Sequence, residues 1–128
     1  MNKTRWRFLG AALFFLAIFI TGFWLSGVGK PYDPLVLNVH KLIALAAVVV
    51  FIVLLVRAGR AAKLRTDEIT AAVLNGLFVL GLFVTGGLTS ALTPAPDWIR
   101  QLHHIFPYVA VLSTAAALFL LARRRGRP

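Results

Sequence analysis

The chain has 128 residues, enough for one domain, and 59% of them are hydrophobic while only 14% are charged. Lys and Arg outnumber Asp and Glu by 14 to 4, which in a soluble domain would suggest a nucleic-acid partner. A chain with this apolar content has too little polar surface to cover a water-soluble domain. The interpretation of its positive charge as a nucleic-acid-binding surface is therefore excluded. The absence of cysteine excludes disulfides, thiolate-held iron–sulfur clusters and covalently attached haem.

Four segments are apolar over the roughly 20 residues that a helix needs to cross a bilayer. In chain order they cover residues 8–28, 34–56, 67–92 and 98–122. The first follows a basic N-terminal stretch but is longer than the apolar core of a signal peptide, so we expect it to be retained. The predicted fold class is all-α, a single integral membrane domain over residues 1–128 whose four helices form a bundle in the lipid bilayer.

Residues at the predicted helix starts are of the types that cap helices. Asp33 is followed by Pro34, which predicts an N-cap and a proline at the first helical position of the second span. Asp97 is expected to cap the fourth span in the same way. Thr66 is expected to cap the third span, with two acidic residues behind it in the first turn.

Basic residues lie mostly at one end of the four spans. Eleven of the fourteen share that end: Lys3, Arg5, Arg7, Arg57, Arg60, Lys63, Arg65, Arg123, Arg124, Arg125 and Arg127. Lys30, Lys41 and Arg100 lie at the other end. By the positive-inside rule we predict a multi-pass protein of the cell's inner (cytoplasmic) membrane with both termini in the cytoplasm.

The sequence also contains an internal repeat. Without gaps, residues 13–60 align with residues 77–124 at an offset of 64, with thirteen identities in 48 positions. The polar and small identities are Thr21/Thr85, Gly22/Gly86, Ser26/Ser90, Asp33/Asp97, His40/His104 and Arg60/Arg124. Two tandem two-helix repeats predict a pseudo-two-fold axis along the membrane normal.

The repeat pairs two histidines that are candidate metal ligands. His40 and His104 each follow a predicted capping Asp by seven residues, which places them about 10 Å into their helices. The pseudo-two-fold axis can set them face to face at equal depth, the arrangement that a bis-His haem b needs. Gly22 and Gly86, at about the same level, would let a flat macrocycle approach the backbone, although close helix packing also explains them.

Other residues near the histidines are candidates for supporting roles. Arg100 and Lys41 are expected to pair with haem propionates. His103 is an alternative to His104 as iron ligand, although Val39 stands at its repeat position.

Four spans with His40 and His104 at matching positions resemble the membrane-embedded b-type cytochromes that are built as four-helix bundles. The resemblance implies an electron-transfer protein with one haem b near the outer membrane face. It would exchange electrons with a quinone or quinol, an external carrier or a partner redox subunit. The chain departs from many such cytochromes because its cytoplasmic half has no second histidine pair. We expect an electron carrier or redox subunit rather than a stand-alone enzyme, and we identify no catalytic residue.

Three alternatives remain open at this point. A (bacterio)chlorophyll is another ring cofactor that accepts histidine as a ligand. A cofactor-free accessory or assembly subunit of a larger membrane complex fits the small size of the chain and the lack of acids inside the spans. A small transporter or metal-handling protein is the third, since three histidines lie near the outer face.

Overall fold

A computed structural model describes residues 3–123 and, except at residues 3–5, 7, 8 and 11, their side chains. Its four α-helices are, in chain order, α1 (Lys3–Val28), α2 (Pro34–Ala61), α3 (Thr66–Ala91) and α4 (Asp97–Arg123). The prediction of an all-α chain with four helices is confirmed. The bounds of α3 and α4 agree with the predicted spans to within a residue, whereas α1 begins five residues before its predicted span and α2 ends five residues after its own. Arg124, Arg125 and Arg127, on which the orientation prediction partly depends, lie outside the described residues, as do the side chains of Lys3, Arg5 and Arg7.

Helices α2, α3 and α4 are long and apolar enough to cross a membrane, and the described apolar part of α1, Ala12–Val28, is shorter. Few apolar side chains in the described part of the chain are buried: Leu25, Ile99, Ala110 and Ala117. Helix α2 buries no residue at all. Because so much apolar surface is left outside the protein core, contact with lipid tails accounts for it better than contact with water does. These are the properties of a membrane protein.

The chain forms two compact units, residues 1–57 and 58–128. The first unit contains α1 and most of α2, and the second contains α3 and α4. We refer to them as the first and second hairpin.

The start of α2 agrees with its prediction. The amide of Val36 donates to Oδ1 of Asp33 at 2.9 Å, and the amide of Leu37 donates to the Asp33 carbonyl at 3.0 Å. Asp33 is therefore the N-cap, and Pro34 is the first helical residue.

Replacement of Asp33 with alanine is expected to destabilise the protein by about 1 kcal/mol, because the Val36 amide loses its acceptor. Asp33→Ser is the control, since a serine hydroxyl can accept the same bond. Unfolding of the full chain in detergent micelles, followed by circular dichroism, measures the difference. Equal stability of Asp33→Ala and Asp33→Ser would contradict the capping role.

The start of α3 lies one residue earlier than expected. Arg65 occupies the N-cap position without a capping bond from its own side chain, so the prediction of Thr66 as the cap is wrong. Glu68, which is buried, accepts the Arg65 amide with Oε2 at 2.8 Å. The Arg65 side chain pairs with Asp67 at 3.3 Å. Glu68 thus satisfies the amide of the N-cap residue Arg65, and Thr66 is the first residue of the helix.

The start of α4 also differs from the prediction. The Pro96 carbonyl accepts the amides of Ile99 at 3.1 Å and Arg100 at 3.3 Å, which makes Pro96 the N-cap. Asp97 is the first residue inside the helix, and its carboxylate accepts a hydrogen bond from the Arg100 guanidinium. The prediction of Asp97 as the cap is therefore wrong, because Pro96 accepts the first helical hydrogen bonds and Asp97 already lies inside the helix. As a result α4 begins one residue earlier, relative to the repeat, than α2 does.

Helices α3 and α4 are joined by a polar cluster and by an aromatic contact. Oδ1 of Asn75 accepts hydrogen bonds from the hydroxyls of Ser113 and Thr114, each at 2.8 Å. Closer to the α3–α4 connection, the Phe106 ring lies over Gly81, where it packs edge-on against Phe78.

Candidate functional site

In the first hairpin, the His40 imidazole of α2 packs against α1. Its Nδ1 lies 2.9 Å from Oγ1 of Thr21, and the side chain is half-buried. Gly22 lies directly beside the ring: a Cβ at this position would be 3.2 Å from Cε1 of His40. The imidazole thus occupies the space next to the glycine, and a larger residue at position 22 would require the ring to shift by a few tenths of an ångström.

The second hairpin contains the same arrangement, made by His103. Its Nδ1 lies 3.1 Å from Oγ1 of Thr85, and the side chain is again half-buried. A Cβ at Gly86 would be 2.8 Å from Cε1 of His103. We call these two groups the first Thr-Gly-His cluster (Thr21, Gly22, His40) and the second (Thr85, Gly86, His103).

The structural counterpart of His40 is therefore His103, although the repeat aligns His40 with His104. The reason is the helix start. His40 is seven residues after its N-cap Asp33, and His103 is seven residues after its N-cap Pro96. His104 comes one residue later, about 100° further around the helix, and is exposed.

Each threonine hydroxyl contacts its own helix as well as the histidine. Oγ1 of Thr21 lies 2.8 Å from the carbonyl of Ala17, and Oγ1 of Thr85 lies 2.7 Å from the carbonyl of Gly81. The hydroxyls are thereby held in one rotamer between the preceding turn and the imidazole. Each histidine has a rigid polar partner on the neighbouring helix.

The two basic candidates lie outside these clusters on exposed surface. Arg100 pairs with Asp97 one turn earlier in α4. Lys41 follows His40 in α2 and is exposed. In the part of the chain that the structure describes, no three His, Cys, Asp or Glu side chains come together as a metal-binding group.

The threonines are the site residues that sequence reasoning missed. The repeat pairs Thr21 with Thr85 next to Gly22 and Gly86, but a role followed only for the glycines. The available signal was the pairing itself, because a hydroxyl repeated at the level of a repeated histidine is a natural hydrogen-bond partner for its ring.

No family model, no curated protein and no solved structure matches this chain. The chemistry of the two clusters is therefore the guide to function.

Proposed function

We propose that the chain is a membrane electron-transfer protein that binds one haem b, with one histidine from each hairpin as the axial ligands. The observation that carries the proposal is the pair of equivalent Thr-Gly-His clusters. Two half-buried imidazoles, each about 10 Å from the start of its helix, are the donor set that bis-His ligation requires. His40 is the ligand of the first hairpin, and His103 or His104 is that of the second.

The chemistry of each cluster fits axial ligation. A histidine that binds a metal through one ring nitrogen commonly donates a hydrogen bond from the other, which fixes the orientation of the ring. Thr21 and Thr85 each place a hydroxyl within hydrogen-bond distance of a histidine Nδ1, at 2.9 and 3.1 Å. When bound, the haem supplies one-electron oxidation and reduction. Two side chains suffice because the porphyrin provides the remaining ligands, so a three-residue metal cluster is not needed.

The remaining parts of the proposal concern orientation and partners. Arg57, Arg60, Lys63 and Arg65 lie at the end of α2 and in the connection to α3, whereas His40 lies near the opposite end of α2. This distribution supports cytoplasmic termini in the inner membrane and a haem near the outer face. Lys41 and Arg100 are proposed to pair with the propionates. Electrons would pass to or from a quinol, an external carrier or a partner subunit, and the two hairpins would be tandem repeats.

The test is the reduced-minus-oxidised absorbance spectrum of the full chain purified from membranes. We expect the bands of six-coordinate, low-spin haem b, and their loss in His40→Ala. Asn38→Ala is the matched control. Asn38 is an exposed polar residue two positions before His40 in α2, so its replacement should leave the spectrum unchanged.

Two results would contradict the proposal. The first is a wild-type protein without haem, and the second is an unchanged spectrum in His40→Ala. A colourless chain that copurifies with stoichiometric membrane partners would support a cofactor-free accessory subunit instead. A (bacterio)chlorophyll would be recognised by its own absorbance.

A further inference from the structure

We infer that Thr21 and Thr85 hold His40 and His103 in the tautomer that is protonated at Nδ1, and that His103 rather than His104 is the ligand of the second hairpin. The second part of this inference, that these histidines bind a haem, rests on the proposed function. The ring protonation does not, because it follows from the hydrogen bonds of the chain itself.

In the first cluster, the Thr21 hydroxyl has a single proton to donate. Oγ1 of Thr21 lies 2.8 Å from the Ala17 carbonyl and 2.9 Å from Nδ1 of His40. A carbonyl oxygen can only accept, so the hydroxyl donates its proton to Ala17. Both contacts are then hydrogen bonds only if Nδ1 carries a proton and donates it to Oγ1. A neutral imidazole protonated at Nδ1 has its lone pair on Nε2.

The second cluster repeats this arrangement atom for atom. Oγ1 of Thr85 lies 2.7 Å from the Gly81 carbonyl and 3.1 Å from Nδ1 of His103. Thr85 is 6% exposed, so its hydroxyl has little access to water as an alternative partner. Each hydroxyl also has a second carbonyl of its own helix within reach, Ile18 at 3.1 Å for Thr21 and Leu82 at 3.3 Å for Thr85, so two acceptors besides the ring compete for its one proton.

The choice of His103 follows from the helix register. Side chains turn by about 100° per residue, so adjacent histidines of α4 cannot occupy equivalent positions. His103 holds the position relative to its N-cap that His40 holds, bonds to Thr85 and packs over Gly86. In a metal site the threonines would be positioning residues: each would fix the orientation of its ring and leave the lone pair that can bind a metal on Nε2.

The ring protonation is tested on the full chain without haem. Nitrogen-15 NMR of histidine-labelled protein in lipid nanodiscs, above the titration range of histidine, distinguishes the two tautomers. We expect His40 and His103 to be protonated at Nδ1. Thr21→Val and Thr85→Val should each shift their own histidine toward a mixture of tautomers, while Thr21→Ser and Thr85→Ser, which keep the hydroxyl, should not. Protonation at Nε2 in the wild type, or no response to valine, would overturn the inference.

The ligand assignment is tested on haem-loaded protein with two adjacent variants. His103→Ala should lose the six-coordinate low-spin spectrum and His104→Ala should keep it. The opposite result would overturn the assignment of His103 while leaving the proposed function intact. A wild type that binds no haem would overturn the proposed function, and the NMR result would still decide the ring protonation.

The reduction potential gives a readout that a purely structural role would not move. Loss of the acceptor for Nδ1–H makes imidazole a weaker donor to iron, which disfavours the ferric state. We therefore expect a higher midpoint potential in Thr21→Val than in the wild type, with Thr21→Ser close to the wild-type value. An unchanged potential in Thr21→Val would show that Thr21 does not act on the ligand.

Discussion

Replacement of Gly81 with alanine is expected to destabilise the second hairpin by about 1–3 kcal/mol relative to alanine at an open position of the same helix. A Cβ at Gly81 would lie 2.6 Å from Cε2 and 3.0 Å from Cδ2 of Phe106, closer than real Cβ contacts. The Phe106 ring has little freedom to withdraw, because it packs edge-on against Phe78 with centroids 5.9 Å apart. The added methyl group must therefore separate α3 from α4.

Gly76 and Gly87 provide the matched controls. Both lie in α3, and a Cβ at either would meet nothing within 4 Å. Gly76→Ala and Gly87→Ala gain the helix propensity of alanine, about 1 kcal/mol, without the clash. Reversible unfolding of the full chain in mixed detergent micelles compares the three variants. If Gly81→Ala is as stable as the two controls, the close approach of α3 and α4 at Phe106 is wrong.

Asn75→Leu is the second substitution with a large expected effect. It is expected to reduce the stability of the protein by about 1–3 kcal/mol, because two interhelical hydrogen bonds are lost. Asn75 is 2% exposed and Thr114 is 7% exposed, and Oδ1 of Asn75 is the acceptor for the Ser113 and Thr114 hydroxyls. Leucine has nearly the same size but cannot accept either bond. The buried Thr114 hydroxyl would then lose this acceptor, which is costly for a polar group in an apolar environment, whereas the Ser113 hydroxyl keeps the Ala110 carbonyl at 3.0 Å.

A triple variant separates lost hydrogen bonds from altered packing. Asn75→Leu combined with Ser113→Ala and Thr114→Val removes the donors together with the acceptor, so most of the stability should return. The same unfolding experiment measures both proteins. A triple variant no more stable than Asn75→Leu would mean that Asn75 acts through its shape and not through its hydrogen bonds.

The repeat does not extend to this polar cluster. The positions that align with Asn75, Ser113 and Thr114 are Ala11, Val49 and Val50. These three residues are apolar, so the first hairpin cannot form this hydrogen-bonded cluster at the equivalent positions. The contact between threonine and histidine, in contrast, links the helices of both hairpins at the level of the candidate site.

Much of the helical architecture is predictable because its signals are local or summed over many residues. Long apolar runs predicted the four helices, and Asp33 with Pro34 predicted the start of α2. The other two helix starts depended on competing partners. Glu68 reaches back to the Arg65 amide, and Arg100 engages the carboxylate of Asp97. Such choices between neighbouring groups depend on three-dimensional geometry, which residue types alone do not specify.

Some residues of the candidate site could be identified from the sequence, and others only from the packing of the helices. His40, Gly22 and Gly86 could be singled out because the repeat places them at matching levels of the spans. Thr21 and Thr85 could not be assigned a role, because a hydroxyl in a helix also bonds to its own preceding turn. Only the packing of α1 against α2, and of α3 against α4, shows that each hydroxyl also meets an imidazole.

The sequence by itself determined that this chain is apolar enough for a membrane, that it has four helices, and that histidines recur near the starts of two of them. The tertiary structure decided which histidine of the second hairpin matches His40. The physical reason is that hydropathy and side-chain direction vary over different lengths of sequence. Hydropathy is an average over about 20 residues and is insensitive to a shift of one. The direction of a side chain turns by about 100° with each residue, so an N-cap at Pro96 instead of Asp97 exchanges His104 for His103.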